Sequence, residues 1–147
     1  MAVKALIDTN VLIDYLAGRE PFFNDAKEVI ALCADRKLSG YAAAHSYTNA
    51  FYVLRKYFTP EERREMLTCM MKIVPVVSIW QSIMEAAIQN DGFSDMEDSL
   101  QYECARAVGA ELIITRNEKD FINSDIPVMT PARFLARLKE EIHKGET

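Results

Sequence analysis

The chain has 147 residues, half of them hydrophobic and 27% charged, with a formal net charge of −5. That length and mix predict one soluble globular domain over 1–147 and exclude a membrane-spanning segment, because no apolar run approaches the ~20 residues a bilayer requires. The negative balance excludes a protein held on nucleic acid by bulk positive charge, but not an enzyme that meets phosphates through bound cations.

In chain order, residues 3–7 read as a short buried strand that ends on Asp8. "DTNVLIDYLA" starts a helix that Thr9 or Asn10 can cap, and "GREP" at 18–21 is a loop. Residues 22–35 have helical spacing, with Phe22, Ala26, Val29, Ile30 and Cys33 on one face. A second strand, 38–44, is followed by a helix over 46–58. Thr59, Pro60 and Glu62 form a strong helix start. A third strand over 74–79 leads to a helix over 80–89 and the turn "NDGFS". A helix over 94–108 is closed by Gly109. "ELIIT" is a fourth strand, 117–125 is irregular, and "IPVMT" is a fifth strand. A last helix covers 132–144, and the tail "HKGET" is expected to fray. Alternating strands and helices with short connections predict a mostly parallel sheet covered on both faces.

Cys33, Cys69 and Cys104 have neither metal-ligand spacing nor a disulfide framework, and read as buried reduced thiols of a cytoplasmic protein. No cationic and apolar leader is visible at the start.

In such a sheet, ligands bind at the carboxyl ends of the strands. Asp8 follows the first strand, His45 to Asn49 the second, and Asn117 and Asp120 the fourth. "SDMEDSLQYECA" adds Asp95, Glu97, Asp98 and Glu103. Ser94 and Glu97 form a plausible capping box, so Glu97 reads as a cap rather than a ligand, while Asp95 stands between the two roles. Asp98 begins a stripe with Tyr102, Ala105 and, one step off, Gln101, and faces inward. Asp14 and Asp25 read as solvent-facing acids or caps, and His45 as a structural histidine. Only hard oxygen donors converge, which favours Mg²⁺ or Mn²⁺ over zinc and points to chemistry at phosphates. A phosphoacceptor receiver module would need an aspartate after the third strand, and "VPVVSIW" ends without one.

"LIDTNVLIDYL", "FYVLRKYF", "DMEDSLQYECA", "LIITRNEKDF" and "IPVMTPARFL" together resemble, in order and nearly over the whole chain, the PIN-domain family. Within it the chain is most similar to the compact bacterial PIN ribonucleases that act as toxins of toxin–antitoxin pairs. The resemblance implies a three-layer α/β/α sandwich around a mostly parallel sheet of about five strands. It implies a Mg²⁺- or Mn²⁺-dependent endoribonuclease that cuts single-stranded RNA with an activated water, leaving a 5′-phosphate. It also implies an antitoxin partner and a homodimer. Asp8, Asp98 and Asp120 match the family's catalytic, metal-holding acids. Asn49 occupies a position where the family usually has an acid, and Asp95 or Glu97 are the groups available to compensate. Thr9, Asn10, Thr115 and Asn117 are polar supports for the carboxylates or the water. Arg116 and Lys119 are placed to contact RNA phosphates, with Arg55 and Lys56 extending the track. The aromatic helix "SYTNAFYVLRKYF" carries more apolar surface than one buried face needs, and is a candidate for a protein contact. The alternative reading, sustained by Asn49, is a catalytically weak PIN fold that binds RNA or a protein partner.

Overall fold

The computed structural model describes residues 2–145, so the last two residues of the expected fraying tail lie outside it. Five strands, β1 (Val3–Ile7), β2 (Leu38–Ala43), β3 (Val76–Val77), β4 (Leu112–Ile114) and β5 (Val128–Met129), form one sheet in the order β3-β2-β1-β4-β5. All four pairings are parallel, with Leu6 opposite Tyr41 on one side and Ile113 on the other. The helices are α1 (Thr9–Leu16), α2 (Phe23–Ala34), α3 (Ala44–Val53), α4 (Pro60–Ile73), α5 (Gln81–Gln89), α6 (Met96–Ala107) and α7 (Pro131–Gly145).

Alternation along β1 explains the three layers. Ala5 and Ile7 join one apolar cluster with residues of α1, α2, α3, α4 and α7, while Leu6 joins a second with residues of α5 and α6. A strand packed on both faces needs an unbroken apolar run, which residues 5–7 of β1 and all of β4 have. The edge strands are shorter than the sequence suggests. Each follows a proline, which has no N–H to give the ladder. Its carbonyl still accepts: Pro75 from Ala42 N at 3.0 Å and Pro127 from Ile113 N at 2.9 Å.

Helix ends follow their local signals. Thr59 and Glu62 close a reciprocal capping box on α4, and Gly109 sits at φ 68° just past α6. The helix expected over 46–58 begins earlier, at Ala44, and tightens into a 3₁₀ turn at Leu54–Lys56. The final helix runs through His143 to Gly145. At α6 the cap is Asp95, whose carboxylate accepts from the backbone N–H groups of Glu97 and Asp98, so the Ser94–Glu97 box does not form. Of the cysteines, Cys33 and Cys104 are buried and their thiols are pushed up to about 11 by burial, whereas Cys69 is exposed.

Asp14 departs most from its expected place. It is 1% exposed, and its carboxylate accepts from Arg19 Nε at 2.8 Å and from Arg116 Nε and Nη2 at 2.6 and 3.3 Å. A buried acid needs such partners, and here they come from the α1–α2 loop and the end of β4.

The strand order reverses at β1. Chain order runs outward from β1 through β2 to β3 on one side, and through β4 to β5 on the other. The carboxyl ends of β1 and β4 therefore flank the switch point at which ligands enter open α/β sheets.

Candidate active site

Asp8 stands at that point. Its backbone N–H donates to Ile114 O at 2.9 Å, continuing the β1–β4 ladder by one residue, so the carboxylate is fixed at the sheet edge. It also caps α1, in place of the expected Thr9 or Asn10, which lie inside the first turn of the helix. Oδ1 accepts from Thr9 N at 2.8 Å and Oδ2 from Thr115 Oγ1 at 2.7 Å. Asn10 Nδ2 reaches Thr115 Oγ1 at 3.3 Å, and Asn10 Oδ1 accepts from Arg116 N at 3.3 Å. Asn117 N donates to Thr115 Oγ1 at 3.1 Å, so Asn117 supports the site through its backbone.

Only 7% of Asp8 is exposed. Burial drives its carboxyl above the usual carboxylate range, against the hydrogen bonds from Thr115 and Thr9, and the charges of Glu97 and Asp120 push the same way. Asp98, half-buried in the first turn of α6, is raised to about 7. Burial is again the largest cause, followed by Asp95, Asp120, Asp8 and Glu97. Asp120 lies exposed on the 3₁₀ turn Glu118–Phe121, whose start is fixed by its own N–H donating to Asn117 O at 3.0 Å. The charges that raise Asp8 and Asp98 are those of other acids, and three elements, the end of β1, α6 with its cap and the 3₁₀ turn, deliver carboxylates to one field.

Such a field is self-repelling unless a cation enters it. The donors are all oxygens, the set that suits Mg²⁺ or Mn²⁺. Among the described residues no three His, Cys, Asp or Glu side chains form a ready-made cation site. The carboxylates share a field without yet sharing a coordination sphere.

The sequence profile of the PIN domain matches residues 4–119, most of the chain. This chain belongs to the PIN-domain family. It is 28% identical over 141 residues to ribonuclease VapC1 of Aquifex aeolicus, covering 91% of this chain and 94% of that one. It is similar in structure to a toxin–antitoxin complex chain from Klebsiella pneumoniae, with 27% identity, TM-score 0.64 and coverage of 86% and 97%. VapBC-1 of nontypeable Haemophilus influenzae shares the fold at 18% identity, TM-score 0.63 and coverage of 88% and 99%.

The PIN fold brings Asp8, Asp98 and Asp120 into one field, with Thr9, Asn10 and Thr115 in hydrogen-bond contact around Asp8. Asp95 spends one carboxylate oxygen on the α6 cap, accepting from the backbone N–H groups of Glu97 and Asp98, and raises the Asp98 carboxyl by its charge. Lys119 is exposed beside the acids, whereas Arg116 has two of its guanidinium nitrogens engaged by Asp14. Glu97, read from sequence as a cap, has another role. Its Oε1 accepts from Asn49 Nδ2 at 3.1 Å and lies 3.9 Å from His45 Nε2. An acid from α6 thereby stands against the uncharged position on α3.

Gln101 is the residue that pattern reading passed over. It is fully buried one turn after Asp98, and its Nε2 lies 3.0 Å from Thr9 Oγ1, 2.9 Å from Ser46 Oγ and 3.3 Å from His45 Nε2. Thr9 and Ser46 hydroxyls are themselves 2.6 Å apart. This knot ties α6 to the starts of α1 and α3. Gln101→Leu is expected to lower RNA cleavage by about 10- to 100-fold, the usual cost of losing a group that orients a ligand. Parallel rate and circular-dichroism measurements on the variant check this.

The raised acids also set the pH dependence of stability. Asp98 holds its proton more tightly folded (about 7) than unfolded (near 3.8), so its contribution is complete below pH 4 and is lost as pH rises through 7. Metal-free protein is therefore expected to lose stability between about pH 4 and 7, and Asp98→Asn to flatten that slope, in urea unfolding with EDTA present.

Proposed function

We propose that this chain is a divalent-metal-dependent endoribonuclease acting on single-stranded RNA, and the toxin of a toxin–antitoxin pair. The observation that carries this reading is the convergence of Asp8, Asp98, Asp120 and Glu97 at the switch point of the sheet. The likeness to a ribonuclease and to a toxin–antitoxin complex chain supports it.

Asp8, Asp98 and Asp120 would hold Mg²⁺ or Mn²⁺, with Glu97 and Asn49 beside them. The bound ion supplies a lowered pKa for water and charge neutralisation at the scissile phosphate. The protein's own part is orientation. Thr115 and Thr9 aim the two oxygens of Asp8, and Gln101 fixes the helix starts that carry the neighbouring groups. Lys119 offers a positive charge to the incoming backbone. With a cation among the acids, the phosphodiester is no longer repelled by them.

An antitoxin is the expected protein partner, with an arginine among the carboxylates as the chemistry that would silence them. Tyr52 and Tyr57, each more than 60% exposed, give α3 and its 3₁₀ extension an apolar surface for that partner or for a second copy of the chain. No described helix is long and apolar enough to cross a membrane.

Incubation of a fluorescently labelled single-stranded RNA with Mn²⁺, Mg²⁺ or EDTA tests the reading. Cleavage with either cation and none in EDTA is the expected result. Tight RNA binding without cleavage under any cation would favour the binding-only alternative, which Asn49 in an expected acidic position keeps open.

A further inference from the structure

Just past the end of β4 lies a cavity of about 480 Å³, within the range of small-ligand sites. Phe22 and Pro131 form apolar walls, and Arg116, Asn117, Thr130 and Asp25 line the rest. Its most ordered wall is a stack. The Arg116 guanidinium carbon lies 4.0 Å from the centroid of the Phe22 ring, and Phe22 is 39% exposed. Asp14 clamps the guanidinium from its other edge through Nε and Nη2. The clamp is anchored at both ends of the α1–α2 loop, since Arg19 also binds Asp14 and the Arg19 carbonyl accepts from Phe22 N at 3.0 Å. One buried carboxylate thus holds two guanidiniums in place beside this mouth.

The cavity and the candidate active site meet at the end of β4. Thr115 donates to Asp8, Arg116 lines the cavity, and Asn117 lines it while its carbonyl accepts from Asp120 N. Consecutive residues thus serve the acids and the cavity, and Asn117 touches both.

We propose that this cavity binds one nucleobase of the RNA, adjacent to the phosphodiester presented to the acids. A phosphate does not suit it: two nitrogens of Arg116 are committed to Asp14, and Asp25 would repel an anion. A base does suit it. Aromatic and guanidinium planes stack on any base, and the amide of Asn117, the hydroxyl of Thr130 and the carboxylate of Asp25 can meet a base edge. The clamp holds the platform in place before the RNA arrives, so little ordering is needed on binding. This inference rests on the ribonuclease reading and adds to it a subsite that sets nucleotide preference near the cut.

The test is an abasic scan. A single-stranded 12-mer RNA cut by the wild-type chain with Mn²⁺ is remade with an abasic nucleotide at each position in turn. The wild-type chain is expected to lose about tenfold in kcat/KM at one position close to the cut. In Phe22→Ala the intact RNA is expected to be cut about tenfold more slowly, and the abasic penalty at that position to disappear. Phe22→Trp is expected to restore both, and with Trp80 changed to Phe its fluorescence to be quenched in Mg²⁺ by the same RNA carrying an uncleavable linkage at the cut. Circular dichroism establishes that each variant is folded. An abasic penalty that is the same in Phe22→Ala as in wild type, or an unquenched Trp in a protein that binds the RNA, overturns the subsite alone. A wild-type chain that cuts no RNA overturns the ribonuclease reading itself.

Discussion

Asp8→Asn is expected to abolish RNA cleavage, by more than about a hundredfold, with the fold intact. The magnitude exceeds the 10- to 100-fold cost of losing a group that only orients a ligand, because Asp8 is the charge at the centre of the site. The substitution keeps the shape and leaves an oxygen to accept from Thr9 N. A buried carboxyl held above its ordinary range by burial and by neighbouring acids is a poor contributor to stability. Thermal unfolding in EDTA should therefore show a midpoint equal to or above that of wild type. Initial rates on labelled RNA, read beside that midpoint, separate loss of chemistry from loss of structure.

Asp14→Ala should act in the opposite way, through the fold. It leaves Arg19 and Arg116 facing each other without the carboxylate between them, and opens a space in a fully buried position. Breaking a buried pair by removing one partner costs up to 3–5 kcal/mol, and the partial exposure of both arginines reduces this to roughly 2–4 kcal/mol here. The melting midpoint should fall by roughly 10 °C. Asp14→Asn, which keeps the hydrogen-bond acceptor, should lose less. A midpoint within a degree of wild type for Asp14→Ala would show that the clamp contributes no stability.

These two acids also show what was legible in the sequence. Asp8 ends an unbroken apolar run, and a strand buried on both faces leaves its carboxyl end as the place where polarity resumes. Strand, site and support by Thr9 and Asn10 could all be read within eight residues. Thr59 with Glu62, and Gly109, were legible for the same local reason. Asp14 was not, because its partners lie 5 and 102 residues away, and helical periodicity alone assigns a charged side chain to water. At α6 the sequence held two competing caps. Asp95 won and released Glu97 to reach Asn49, a contact 48 residues distant. The lengths of β3 and β5 depend on what their neighbours donate, which no residue within them encodes. Gln101 was hidden for a related reason: a polar residue in a buried stripe acquires meaning only when Thr9, Ser46 and His45 surround it.

The most direct measurement is a Mn²⁺ titration of metal-free protein followed by electron paramagnetic resonance of the free ion. Wild-type chain is expected to take up Mn²⁺ at pH 7.5 with an affinity that weakens as the acids are protonated below pH 7, and Asp8→Asn to take up far less. Equal uptake by folded Asp8→Asn and wild type, or none by wild type, would contradict a cation site built on Asp8, Asp98 and Asp120.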